Sequence, residues 1–157
     1  MGAGSAGCVI ANRLSADPGR QITLLDSGPP LGPGEVPLGI EGPNFFAAMQ
    51  EPGRMFPDLL ATRAVGIDPT IYQRGRGIGG SSAVNAMVAL RGSDSLYRSW
   101  GWTNATEAWS LVQLPTELAT MSELGPVDRA LLADDRTEQL QLTRTNGKRV
   151  TSAQAYL

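Results

Sequence analysis

The hexapeptide Gly2-Ala3-Gly4-Ser5-Ala6-Gly7 constrains the fold of this chain more than any other stretch. It matches G-x-G-x-x-G and runs into a segment with helical spacing. Nineteen residues after Gly7 an acid, Asp26, ends the next apolar run. Each part has a mechanical reason. Gly2 makes the tight turn, Gly4 lets a pyrophosphate approach the backbone, and Gly7 lets a helix and a strand pack closely. Ser5 and Ala6 open the helix, whose free N–H groups and positive dipole end favour an anion. A carboxylate at position 26 accepts from a ribose hydroxyl, and no arginine adjoins it in sequence, so an ADP moiety fits better than a 2′-phosphate. The bland alternative is a glycine-rich turn with no ligand. Only Met1 precedes the motif, so the strand expected to lead into it is missing from the sequence.

A second glycine cluster, Arg74-Gly75-Arg76-Gly77-Ile78-Gly79-Gly80-Ser81-Ser82, is cationic and rich in donors. Ser81 and Ser82 can cap an element beginning at Ala83, and the N–H groups after Gly79-Gly80 can form an anion-binding nest. Asn85 carries both a donor and an acceptor for a heterocycle edge. No lysine follows the glycines, so this is not a Walker loop. An ordinary surface loop with helix capping is the competing reading.

Composition removes whole classes of function. The chain of 157 residues has no histidine, which excludes imidazole as base, acid or metal ligand within this chain. Its net charge of −2 and the lack of a recurring basic stripe exclude a nucleic-acid face. Cys8 is the one thiol, so no internal disulfide forms, in keeping with a reducing compartment. No apolar run approaches the roughly 18 residues of a membrane span and no signal-peptide pattern opens the chain, so a cytoplasmic location is expected. Hydrophobic residues make up 41%, enough for a globular chain, while 19 glycines and 11 prolines make it rich in loops.

Periodicity predicts a helix over Ser5 to Ser15 with Ala6, Val9, Ile10 and Leu14 on its apolar face, stopped by Asp17-Pro18-Gly19. Gln21 to Leu25 reads as a short buried strand. From Pro29 to Pro57 periodicity is lost and a long irregular excursion is expected. A tryptophan-rich turn follows the second glycine loop, with Trp100, Trp102 and Trp109 expected to pack in a core or a domain interface. Helices are predicted over Pro115 to Leu124 and Val127 to Ala133. Gln139 to Thr143 alternates as a strand, and Asn146-Gly147 predicts a hairpin with Lys148 to Thr151 returning. Cys8 is read as a small hydrophobe on the first helix.

The runs "GAGSAGCVIANRLSADP", "LLDSG", "RGRGIGGSSAVNAMVALRG" and "GKRVTSAQAYL" together resemble the ordered signatures of the glucose-methanol-choline (GMC) oxidoreductases, choline-dehydrogenase-like branch. The resemblance covers residues 2–28, 72–102 and 147–157. It implies an α/β fold: a partial Rossmann-like FAD-binding domain over 1–110, then a hairpin-containing part of the substrate domain over 111–157. It implies FAD as cofactor and alcohol oxidation by hydride transfer to flavin N5. Gly2, Gly4, Ser5, Ala6 and Gly7 would face the FAD pyrophosphate, and Asp26 the adenosine ribose. Gly79, Gly80, Ser81 and the run Asn85-Ala86-Met87-Val88 would line the flavin end, and Arg76 would be a further cofactor-binding residue. Where some members carry a flavin-linked histidine this chain has Val84, which implies non-covalent FAD. The family's catalytic histidine lies in a C-terminal half that this sequence does not contain. The expectation is therefore an N-terminal portion, inactive alone, with an alcohol substrate and a complementing C-terminal chain as its partners. A non-catalytic nucleotide-binding module and a non-functional remnant are the alternatives.

Overall fold

The computed structural model describes residues 2–32, 34–90, 92–104, 116–118 and 141–157. The first helix, α1, covers Ser5–Ser15, as its spacing predicts. It ends where Asp17 turns the chain: its Oδ1 accepts from Gly19 N–H at 3.0 Å and its Oδ2 from Arg20 Nε at 2.9 Å. Those two contacts, the Gly19 amide first, hold the Asp17 carboxyl below its ordinary range.

The buried face of α1 is not the predicted one. Gly7, Cys8 and Ala11 are buried, while Ile10 and Leu14 are 44% and 36% exposed. Helix α5 (Ser152–Tyr156; numbered among the described residues) packs on α1, and Asn12 Nδ2 donates to Tyr156 O at 2.8 Å. Cys8 is fully buried, its Sγ donating to Ala3 O at 3.1 Å, and burial pushes its thiol pKa up. It behaves as the small hydrophobe expected.

Residues Gln21 to Leu25 form no strand; among the described residues this run has no ladder partner. A strand is a property of a pair, and apolar composition alone cannot supply one. The excursion between Pro29 and Pro57 is more ordered than expected. It contains α2 (Leu38–Glu41) and α3 (Phe45–Gln50), the latter capped by Asn44 Oδ1 accepting from Phe46 N–H at 3.0 Å. Ile40 and Ala48 from these helices join Ala83 and Val84 in the core, flanked by Val36, Met49 and Met55.

The sheets are short and antiparallel among the described residues. Strand β1 (Leu60–Ala61) pairs with β2 (Thr70–Ile71), and β3 (Val88–Ala89) and β4 (Glu117–Leu118) flank β5 (Gln141–Leu142). Glu117–Leu118 being strand overturns the helix predicted from Pro115 to Leu124 at those positions, because cross-strand pairing with β5 overrides local spacing. The rest of that helix, the one predicted over Val127 to Ala133, Gln139, Leu140 and Trp109 lie outside the described residues. Trp100 and Trp102 are 56% and 59% exposed and are not core; they cluster with Tyr97, whose ring stacks on Trp102 at 5.9 Å. They follow α4 (Asp94–Ser99).

The hairpin of β6 (Arg144–Thr145) and β7 (Lys148–Arg149) forms as Asn146-Gly147 predicts. Asn146 has φ 52° and Gly147 φ 73°, the two left-handed residues of a type I′ turn. Directly after it, Thr151 and Gln154 form a capping box: Thr151 Oγ1 accepts from Gln154 N–H at 3.2 Å and Gln154 Oε1 from Thr151 N–H at 2.8 Å. Thr151 is buried, so Thr151→Ala is expected to cost about 1 kcal/mol. Thermal unfolding checks this, and a Thr151→Ser variant should recover most of the loss.

Candidate functional site

The two glycine clusters meet. Gly79 N–H donates to Ala3 O at 2.8 Å, tying the second loop to the first. Gly79 and Gly80 have φ 87° and 52°, a left-handed pair that turns the chain into a 3-10 turn over Gly80–Ala83. At the crossing, a Cβ on Gly80 would lie 2.7 Å from Gly4 Cα. Gly80 has to be glycine because its missing Cβ faces the Gly4 backbone, whereas a Cβ on Gly4 would meet Gly80 Cα at an ordinary 3.9 Å. A second crossing lies beside the first, where a Cβ on Gly28 would lie 2.1 Å from Gly77 Cα.

These crossings bound a cleft of about 390 Å³ lined by Gly2, Gly4, Asp26, Arg76 and Gly80, with Ser27, Phe56 and Gly77 among the rest. Five residues singled out from the sequence thus share one cleft, drawn from segments as far apart as residues 2 and 80. The cleft opens beside the start of α1, where Gly4 makes no side-chain cap, so nothing from a capping side chain satisfies its first amides. Ser5 and Ala6 are exposed on that first turn, and Gly7 is buried behind it.

Asp26 organises this region. Its Oδ2 accepts from Ala3 N–H and its Oδ1 from Gly28 N–H, each at 2.9 Å. The carboxylate therefore pins the first glycine loop to the Ser27-Gly28 turn, and each oxygen keeps a further lone pair for a ligand hydroxyl. Arg76 reaches the adjoining turn: Nε donates to Ser27 Oγ at 3.4 Å and Nη2 donates to Ser27 O. The sequence places no arginine beside Asp26; the fold brings Arg76 to Ser27, the residue that follows it, and into the same cleft.

The second loop differs from expectation in two ways. No helix begins at Ala83. Ser81 Oγ accepts from Gly75 N–H at 3.1 Å, while Ser82 Oγ donates to Gly79 O at 2.6 Å and accepts from Ser152 N–H at 2.8 Å. These serines bind the loop to itself and to α5. Nor is there an open nest of amides, since Gly79, Gly80 and Ser82 N–H groups already donate to Ala3, Gly77 and Gly79 carbonyls. Close backbone packing consumed the donors that a bare glycine loop suggests.

The run beyond the 3-10 turn does not line the same cleft. Asn85 and Ala86 are exposed and Val88 is 44% exposed, whereas Met87 is 3% exposed with φ 63°. Val84 is buried in the core. Met87 O accepts from Thr143 N–H at 2.8 Å, tying this run to β5. Asn85 Oδ1 accepts from Met87 N–H at 3.0 Å and from Arg149 Nη1 at 3.0 Å. Arg149 is a residue that sequence reading missed. It is fully buried, and burial pushes its guanidinium pKa down. The capping box Thr151-x-x-Gln154 marks the helix start that follows, but nothing in the sequence marks Arg149 itself as buried.

Among the described residues no helix is long and apolar enough to cross a membrane, and no three His, Cys, Asp or Glu side chains gather as a metal site.

Comparison with known proteins places the chain in a family. The chain is 29% identical to the alcohol dehydrogenase [acceptor] of Pseudomonas putida, covering 100% of this chain and 35% of that protein. That alignment runs over 201 positions against a chain of 157, so the relative carries insertions that this chain lacks. It is 35% identical to oxygen-dependent choline dehydrogenase 1 of Chromohalobacter salexigens, covering 82% of this chain and 23% of that one. In three dimensions it resembles the crystal structure of pyridoxine 4-oxidase from Mesorbium loti, with a TM-score of 0.74 and 26% identity, covering 99% of this chain and 38% of that chain. The chain spans about a third of the first relative's length and less of the second's. The model of the GMC oxidoreductase family matches residues 1–156, and this chain belongs to that family.

Proposed function

We propose that this chain is the FAD-binding N-terminal portion of a GMC enzyme that oxidises alcohols, and that it does not turn over alone. The observation that carries the reading is the cleft where Gly2, Gly4, Asp26, Arg76 and Gly80 converge. The residues present fit the cofactor. An uncapped helix start suits a pyrophosphate, a carboxylate with spare lone pairs suits a ribose diol, and backbones free of Cβ atoms leave room for the ligand.

In this reading Gly2, Gly4, Ser5 and Ala6 receive the pyrophosphate, Gly7 keeps α1 close, and Asp26 holds the adenosine ribose. Arg76, beside Ser27, adds a cation at the phosphate end. Gly79, Gly80 and Ser81 shape the passage to the flavin end, where Asn85, Ala86, Met87 and Val88 lie. Bound FAD supplies N5 as hydride acceptor, and valine at position 84 leaves it non-covalently held. The fold belongs to a Rossmann-like FAD domain over 1–110, with 111–157 leading into the substrate domain and its last turn returning onto α1. An alcohol substrate and a complementing C-terminal chain complete the proposal.

A second reading, a non-catalytic FAD or nucleotide-binding module, is supported by the absence of histidine from all 157 residues. Without a positioned base about 10²–10⁴-fold of rate is lost. Both readings expect FAD binding, and Asp26→Ala should weaken it about tenfold by removing a charged acceptor and releasing the Ala3 and Gly28 amides. Titration followed by flavin fluorescence checks this; an unchanged Kd would argue that the cleft is not the adenosine site. Alcohol-dependent dye reduction by the pure chain would overturn the claim of inactivity.

A further inference from the structure

Arg149 is 1% exposed, and all its hydrogen-bonding partners are acceptors from other segments. Nε donates to Ile40 O at 2.9 Å. Nη1 donates to Asn85 O at 2.7 Å, to Asn85 Oδ1 at 3.0 Å and, at a longer 3.4 Å, to Ser82 O. The other group on Asn85 Oδ1 is the Met87 amide, again a donor, at 3.0 Å.

An asparagine side chain ends in one acceptor and one NH2, and which is which usually follows only from its surroundings. Here the surroundings decide. A guanidinium and a backbone N–H can only donate, so the atom that both face is the oxygen. The oxygen is used twice on the inner side, and Asn85 is exposed on the outer side, so its NH2 is what it can offer a ligand. The Asx turn to Met87 also supports that residue's left-handed φ of 63°, a conformation costly for a side chain that is not glycine.

We propose that Arg149 is a positioning residue of the cofactor loop: it holds the Asn85 oxygen inward with the Met87 amide and so fixes the Asn85 NH2 as a hydrogen-bond donor to an acceptor atom on a bound heterocycle. The inference rests on the FAD reading and adds to it a direction, donor from protein and acceptor from ligand, that the sequence leaves open. It also gives a role to a side chain far from the glycine motifs in sequence.

The test uses the whole chain with Asn85→Asp, Arg149→Met and Arg149→Lys. Asn85→Asp keeps an oxygen for Arg149 and Met87 and puts a second, anionic oxygen that cannot donate in place of the NH2. In the chain without FAD, the Met87 amide should exchange at least about tenfold faster in Arg149→Met than in wild type, and remain protected in Asn85→Asp. Lysine should not restore that protection, since a single ammonium cannot replace the guanidinium fork. With FAD, Asn85→Asp should bind about fivefold more weakly and change the visible circular dichroism of the flavin. Unchanged Met87 exchange in Arg149→Met overturns the lock, whatever happens with FAD. Wild-type affinity and spectrum in Asn85→Asp overturn the donor role, and this arm decides if Arg149→Met does not fold. A wild-type chain that takes up no FAD sinks the cofactor reading and the donor role with it, while Met87 exchange still reports the lock separately.

Discussion

Gly80→Ala is expected to destabilise the chain by about 3 kcal/mol and to abolish FAD uptake. Two costs combine. Gly80 sits at φ 52°, where an alanine carries roughly 1–2 kcal/mol of steric penalty. Its Cβ would also lie 2.7 Å from Gly4 Cα and 3.5 Å from Ser5 N, in a buried crossing with no flexible side chain to yield. The two loops would have to separate, which breaks the Gly79 to Ala3 hydrogen bond and opens the start of α1. Gly34→Ala is the control. Gly34 has φ 76° but nothing within 4 Å of its missing Cβ, so only the left-handed penalty of about 1 kcal/mol applies. Equal melting temperatures for the two variants would contradict the crossing as the source of the effect.

Gly28→Ala should be as severe for a different reason. Gly28 needs no left-handed backbone, yet its Cβ would lie 2.1 Å from Gly77 Cα and 2.4 Å from Gly77 N. Backbone faces backbone, so relief requires moving the Ser27-Gly28 turn off the second loop. That turn carries the Gly28 amide bonded to Asp26 and the Ser27 carbonyl bonded to Arg76. The expected loss is about 3 kcal/mol, with FAD affinity falling alongside it. Denaturant unfolding at constant m reads the first and fluorescence titration the second. A variant that melts like wild type would mean the Gly28–Gly77 approach is not tight in solution.

What could be read in advance follows the range of the forces involved. Helix α1 was legible to the residue, because a glycine motif starts it and Asp17-Pro18-Gly19 stops it locally. The Asn146-Gly147 hairpin was legible because both turn residues must be left-handed. Gln21 to Leu25 failed as a strand because pairing is decided by a partner, not by apolar content. The buried face of α1 failed too: Gly7, Cys8 and Ala11 are buried, while the larger Ile10 and Leu14 stay exposed. For the site, the glycines and Asp26 announce themselves by spacing, and the fold brings them to one cleft with Arg76. Phe56 and Gly77 could not be singled out, since each joins the cleft only through long-range crossings. Arg149 was hidden in a strand-like run, and the capping box after it marks only the helix that follows.

The two glycine loops are proposed to assemble one cofactor cleft. The most direct test is the absorbance spectrum of the purified wild-type chain, with any cofactor released by heat and identified by chromatography, and reconstitution with added FAD if none is carried through purification. The account predicts a flavin spectrum with FAD near one per chain, released intact as expected for Val84 in place of a covalent link. A colourless chain that cannot be reconstituted would contradict it, leaving family membership in place and removing the cofactor site.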